Sequence, residues 1–226
     1  MKKTIILFFL AVIFISQFSM AQRKTTGLDI KFGIQPPVFN FDDLYNTGYG
    51  FYFGGLFPFS KEMQFTLYTG YLTWGFDNEA LIRKFTNEYY TDFNIEAPMN
   101  LVPLTIGIKY YASKTKVKPY FSADFGFFYY WQTVNGTYTW KNPAGGENTY
   151  VLSDQTESGF RTMLSLGAGI VTPLSKIIDL DLQIKLNALY NAQAVSGTGG
   201  SGEINGSSST LYYMAFMIGI NYYLEK

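Results

Sequence analysis

Leu180-Asp181-Leu182-Gln183-Ile184-Lys185-Leu186-Asn187-Ala188-Leu189-Tyr190 alternates along its whole length. Its even positions are all apolar, and its odd positions from 181 to 187 are polar or charged. A period of two places successive side chains on opposite faces, so the segment is a β-strand with one apolar and one polar face. The same reading extends outward to eight segments: 27–35, 48–57, 63–74, 99–111, 118–132, 159–171, 178–191 and 211–224. Turn residues separate them.

The two faces differ in kind. One carries Leu28, Ile30, Phe32 and Ile34 in the first segment and Met214, Phe216, Ile218, Ile220 and Tyr222 in the last, and no charge in any segment between. The other carries Asp29, Lys31, Lys109, Asp124, Arg161, Asp179, Asp181 and Lys185, together with most of the strand glycines, among them Gly33, Gly107, Gly167 and Gly219. A soluble barrel turns its apolar face inward and needs a densely charged exterior. Here the polar face has too few charges for that, and its glycines suit a narrow interior where strands crowd one another. The apolar face then meets lipid, where a Lys or Arg at mid-depth costs about 2–4 kcal/mol. The expected fold is all-β, a transmembrane antiparallel up-and-down barrel of about eight strands, because only a closed sheet pairs every backbone amide without helices.

The connections alternate in length as that fold requires. Pro58-Phe59-Ser60-Lys61, Ala112-Ser113-Lys114-Thr115-Lys116 and Thr172-Pro173-Leu174-Ser175-Lys176 are short and form the periplasmic turns. Segments 36–47, 75–98, 133–158 and 192–210 are longer and face outward from the cell.

Residues 1–21 read as a cleaved secretory signal peptide. Lys2 and Lys3 precede the apolar run Ile5 to Ile15, and Ser19-Met20-Ala21 supplies the small residues of a cleavage site. The run is too short to span a bilayer, which takes about 20 residues. Residues 22–226 form a single barrel domain. Aromatic residues make up 19% of the chain and charged residues only 15%, against roughly 25% charged in soluble domains, so the chain either hides an unusually large core or shows apolar surface to something other than water. Cysteine is absent, which excludes disulfides and thiolate metal sites, and a net charge of zero leaves no basic footprint for nucleic acid.

Lys118-Pro119-Tyr120 leading into Gly126, Leu166-Gly167-Ala168-Gly169-Ile170 and the closing Gly219-Ile220-Asn221-Tyr222-Tyr223 resemble the corresponding strands of small outer-membrane β-barrel proteins of Gram-negative bacteria, the PorT-like and OmpA/OmpX-like barrels. The likeness runs over residues 27–226. It implies a porin-like barrel in the cell outer membrane, part of the cell envelope. In that family the last strand ends on an aromatic residue, and here Leu224-Glu225-Lys226 follow Tyr223, which offsets that signal.

The interior charges balance: four cations (Lys31, Lys109, Arg161, Lys185) face four anions (Asp29, Asp124, Asp179, Asp181). An unpaired charge inside a narrow barrel is expensive, and barrels of about eight strands are just wide enough for side chains to fill. The expectation is a lumen charge network in a packed polar core, with Arg161 and Asp124 paired at its centre across neighbouring strands. Catalysis is not expected. The outer-membrane barrel enzymes resemble one another in using a histidine base, and this chain has no histidine. No cofactor or metal site is expected either: Asp42-Asp43 lacks the spaced Asp/Asn-Gly loop of a calcium site.

Function then falls to the outer loops. Thr133 to Trp140 continues the alternation beyond the bilayer, with Asn142-Pro143-Ala144-Gly145-Gly146 as a turn, giving a stiff arm whose unpaired edges can recruit a strand. Ser196 to Thr210 is rich in glycine and serine and reads as a mobile loop. Asp77 caps a short helix through Ala80-Leu81-Ile82-Arg83-Lys84-Phe85, either as a lid over the barrel mouth or as a partner-binding element. The sequence thus describes a monomeric, non-enzymatic barrel with a structural or surface-interaction role, or a subunit of an envelope assembly. The partners implied are outer-membrane lipid and lipopolysaccharide, and a protein held by the outer loops. The alternative is a narrow transport barrel for small or apolar solutes.

Overall fold

The computed structural model describes residues 26–85, 90–112, 116–141, 146–198 and 204–224. The expected signal peptide and the turns at 113–115 and 142–145 lie outside them. Eight long strands form one antiparallel sheet: β1 (Gly27–Gln35), β3 (Gly48–Pro58), β4 (Met63–Trp74), β6 (Met99–Tyr111), β7 (Lys118–Lys141), β8 (Glu147–Pro173), β9 (Ile178–Thr198) and β10 (Ile204–Tyr223). Each pairs with its neighbour in chain order, and β1 pairs with β10 from Gly27↔Tyr223 to Ile34↔Phe216, which closes the barrel. Two shorter strands, β2 (Pro37–Val38) and β5 (Tyr90–Glu96), and one helix, α1 (Asn78–Phe85), belong to the outer connections.

The register sets the faces as the alternation requires. Outward side chains of the eight strands stay apolar or uncharged through the belt, with Phe32 60%, Ile106 63% and Phe121 63% exposed. Inward residues are buried, charged ones included: Lys31, Lys109, Asp29 and Asp181 are at most 1% exposed. No helix is long and apolar enough to cross a membrane among the described residues. The exposed apolar surface belongs to the strands, which is the arrangement a lipid-facing barrel needs.

Above the belt the structure departs from the expected loops. A spanning strand takes about 9–11 residues, but β7 has 24 and β8 has 27, so more than half of each lies beyond the span. Their outer parts pair from Thr133↔Thr156 to Lys141↔Glu147, which makes the expected arm. Its β7 edge is not open: β5 lies against it from Tyr90↔Trp140 to Glu96↔Asn135. Gly136 permits this approach. Its φ is +141°, and a Cβ there would lie 2.1 Å from the Asn94 carbonyl oxygen.

Segment 192–210 also differs from a mobile loop. β9 and β10 run on through it, pairing Ala192↔Ser209, Gln193↔Ser208 and Ala194↔Ser207, then Ile204↔Thr198 beyond an irregularity. Backbone pairing is indifferent to side-chain polarity, so a serine-rich composition conceals a hairpin already aligned by the strands below it. Residues 199–203 lie outside the described segments.

Candidate functional site

The lumen has two tiers. The lower is polar and contains the charges. Lys31 on β1 and Lys109 on β6 both reach Asp181 on β9, each at 2.8 Å, and both approach Asp29 on β1, at 3.3 and 3.4 Å. Two cations and two anions thus share one buried cluster. Its remaining hydrogen-bonding capacity is largely used: Tyr68 donates to Asp29 at 2.5 Å, Tyr120 donates to Asp181 at 2.6 Å, and Lys31 donates to the Gln183 side-chain oxygen Oε1 at 2.7 Å. The Asn221 amide, turned so that its nitrogen faces Asp29, lies 3.2 Å from that carboxylate.

Lys185 on β9 pairs with Asp124 on β7 at 2.8 Å, reaching past the intervening strand β8. Glycines make room for this. A Cβ on Gly167 would lie 2.8 Å from Lys185 Cγ, and one on Gly107 would lie 2.1 Å from Asp124 Oδ1. The inward glycines therefore keep the floor of the lumen flat, so that long charged side chains can lie across it. Lys109 sits 4.9 Å from the centroid of the Tyr120 ring and Lys185 5.3 Å from that of Tyr68, which adds attraction between cation and ring face.

Two of the eight expected residues lie outside this network. Asp179 stands at the inner end, buried, and accepts a hydrogen bond from Tyr223. Arg161 does not pair with Asp124, contrary to the sequence expectation. Asp124 lies opposite Ser165, whereas Arg161 lies opposite Phe128. Those four residues put them about 13 Å apart along the strands. The Arg161 guanidinium instead donates from Nε to the Asn191 carbonyl oxygen at 2.8 Å and from a terminal nitrogen to its neighbour's carbonyl, the Phe160 oxygen, at 2.9 Å. It lies over the Tyr130 ring at 5.8 Å.

Arg161 marks a fork in the wall. The β8–β9 pairing runs from Pro173↔Asp179 up to Thr162↔Tyr190 and stops there. Asn191 adopts a positive φ of 54°, a conformation asparagine tolerates better than most residues. Above it β8 continues into the arm with β7 and β5, while β9 continues with β10. Arg161 ties the two branches at their base. Among the described residues, nothing pairs with the β9-facing edge of β8 from 147 to 161.

The upper tier of the lumen is apolar and aromatic, and sequence reasoning missed its main component. The connection 36–47 folds inward: Phe41, Leu44 and Tyr45 are buried, with Phe41 packed on Trp74 (5.4 Å between centroids) and Trp74 on Tyr213 (5.0 Å). Backbone bonds hold the plug, from Asn46 N to the Gly75 oxygen at 2.9 Å and from Asp77 N to the Leu44 oxygen at 2.8 Å. The Gln132 amide donates to the Tyr45 hydroxyl, and the Trp74 indole donates to the Gln35 carbonyl at 2.8 Å. The sequence signal was available: four large apolar residues, Phe39, Phe41, Leu44 and Tyr45, sit in a stretch expected to face water.

Helix α1 starts where expected. Ala80 N donates to the Asp77 carboxylate at 2.8 Å, an N-cap bond. It is fastened to the arm: the Asn78 amide donates to the Phe93 carbonyl and accepts from Ile95 N, and Leu81 joins the buried cluster that includes Phe93, Ile95 and Tyr138. Tyr90 begins β5, and its neighbour Tyr89 lies outside the described residues.

No family model matches the chain, and no curated protein does. Among solved structures it is similar to Ail, the attachment invasion locus protein of Yersinia pestis, with 12% identity over 90% of this chain and 100% of that one, at a TM-score of 0.49. It is similar to a major outer membrane protein of Thermus thermophilus (16% identity, 88% and 99% coverage, TM-score 0.48). It is also similar to the outer membrane protein OprG of Pseudomonas aeruginosa (11% identity, 90% and 98% coverage, TM-score 0.46). Such likeness carries nothing about function, which has to be read from this barrel's own residues. A closed, even-stranded antiparallel barrel with short turns at one end, long extensions at the other and an apolar belt is the outer-membrane type, and the cell outer membrane is where this chain resides.

Proposed function

We propose that the barrel acts without chemistry, as a surface-interaction protein whose working part is the projecting arm. The observation that supports this most is the β8 edge. From 147 to 161 it presents a row of main-chain donors and acceptors with no strand on its β9 side among the described residues. The opposite edge of the arm is covered by β5, and one face is backed by α1. A sheet whose far edge, at β5, is bonded by the Asn78 side chain of α1 and whose β8 edge is open is suited to accept an extended segment of another protein, the main chain supplying affinity and alternate side chains supplying selectivity. The exposed Val151 and Phe160 stand along this strand. The barrel itself is the rigid base, held shut by the two lumen tiers, and the protein partner enlisted through the outer loops distinguishes a free surface protein from a subunit of an envelope assembly.

The test is to close the edge while leaving the barrel intact. Val151→Pro and Thr149→Pro, made singly in the host cell, interrupt the arm's outer strand, and arm removal between 135 and 154 deletes it. The expected result is a barrel that still reaches the outer membrane and still resists denaturation by detergent, but loses the proteins that crosslink to the arm in wild-type cells. Unchanged crosslinks after arm removal would contradict the proposal.

A further inference from the structure

Two of the short turns carry a device that neither the lumen nor the arm uses, the same structure built twice. In Pro58-Phe59-Ser60-Lys61-Glu62-Met63 the amides of Phe59 and Ser60 both donate to the Met63 oxygen, at 3.0 Å each. In Pro173-Leu174-Ser175-Lys176-Ile177-Ile178 the amides of Leu174 and Ser175 both donate to the Ile178 oxygen, at 2.9 Å each. Each serine hydroxyl then accepts two further amides, those of Glu62 and Met63 at 3.1 and 2.9 Å, and those of Ile177 and Ile178 at 3.3 and 3.1 Å. The serine fixes the turn, and the fixed turn sets an exposed lysine at its tip, Lys61 or Lys176, just after an exposed apolar residue, Phe59 or Leu174. Between them in the chain, Lys116 and Val117 are likewise exposed, and the Ser-Lys dipeptide recurs in sequence at 113–114, outside the described residues.

The apolar member of the device is continuous with the lipid belt: the Phe59 ring lies 5.2 Å from that of Phe65, an exposed belt residue on β4. The lysine two residues further on therefore stands just past the hydrocarbon edge, at the level of lipid phosphates. Charge along the molecule is arranged to match. Six of the lumen charges pair among themselves, acids such as Asp42, Asp43, Asp77, Glu79, Glu96 and Glu147 lie at the outer end, and at the short turns Lys61, Lys116, Lys118 and Lys176 outnumber the acids Glu62 and Asp179. A long cation whose stem lies on apolar surface while its head reaches an anionic headgroup layer is a favourable arrangement at a membrane interface.

We propose that this rim docks on the phosphate layer of anionic glycerophospholipids in the leaflet facing the short turns, with Lys61 and Lys176 as the principal contacts. The rim then sets the depth of the barrel from below, independently of whatever the arm binds above.

The test uses the full mature chain, refolded in detergent and titrated with phosphatidylglycerol or phosphatidylcholine, with retained lipids counted by native mass spectrometry. A Lys near an anionic surface changes the equilibrium by about fivefold. The expectation is preferential retention of phosphatidylglycerol, about fivefold weaker in K61Q and in K176Q and weaker again in the double variant. Retention of phosphatidylcholine and the behaviour of K141Q, a variant at the opposite end, should not change. Equal retention of the two lipids by the wild type, or undiminished phosphatidylglycerol in the double variant, would overturn the proposal. So would displacement of the lipid by inorganic phosphate at constant ionic strength, which would place the affinity in the phosphate group alone. Because both lysines are exposed tips of turns closed by other residues, the single variants keep the barrel and leave each arm readable.

Discussion

At the residue scale the molecule distinguishes sharply between charges that look alike in sequence. Asp181 receives two lysines and the Tyr120 hydroxyl inside a closed wall. Arg161, assigned to the same face by the same alternation, lies above the network and bonds to main-chain oxygens. Alternation assigns a face; it does not assign a height, and the pairing partner depends on height. This is why six of the eight expected residues meet in the lumen while Arg161 and Asp124, the expected pair, do not. The energetic consequence is direct. Asp181→Asn leaves Lys31 and Lys109 sharing Asp29 alone in a buried site, and breaking a buried pair from one side costs about 3–5 kcal/mol. Arg161→Gln removes a solvent-accessible contact and should cost below about 1 kcal/mol. Urea unfolding of both variants from lipid vesicles, monitored by tryptophan fluorescence, should separate them by several-fold in stability loss. Equal losses would mean that the lumen cluster is not the fixed point it is taken to be here.

At the element scale the strands were legible wherever lipid imposes alternation and illegible wherever it does not. The belt segments of β1, β4, β6 and β9 follow the pattern because one face must be apolar. The outer parts of β9 and β10 carry alanine, glycine and serine, whose pairing is dictated by the strands beneath rather than by their own side chains, and β5 is a short strand recruited by an edge. Its docking depends on a single position. Gly136→Ala puts a methyl group against the Asn94 backbone at a φ that L-residues rarely adopt, so β5 should leave the arm while β7 and β8 stay paired. Hydrogen exchange would show this as faster exchange at Asn94 and Glu96 with the Thr137–Trp140 region of β8's partner still protected by β8. In the wild type, exchange along β8 above Thr162 should alternate, slow at amides directed to β7 and fast at those directed to the open edge. Uniform protection there would mean that the edge is covered. At the neighbouring helix, Asp77→Ala removes an N-cap worth about 1 kcal/mol, and α1 amides should exchange faster with no change in the belt.

At the scale of the whole molecule, the closed eight-stranded wall, its apolar exterior and its polar interior were all contained in the period-two pattern and in the absence of charge from one face. What the pattern could not convey is how the interior is filled. The lower tier is filled by paired charges lying over glycines, and the upper by a connection that turns inward and buries Phe41 and Tyr45. The upper tier is a matter of where a chain segment folds, which no local periodicity records. On the function proposed above, the two tiers make the barrel a base for its arm rather than a path through the membrane. The measurement that tests this most directly is single-channel conductance of the mature chain, refolded and inserted in a planar bilayer, with folding checked by its resistance to detergent. The account predicts silence from folded protein across the usual range of voltage. Steady, reproducible openings would show that neither tier closes the lumen and would contradict it.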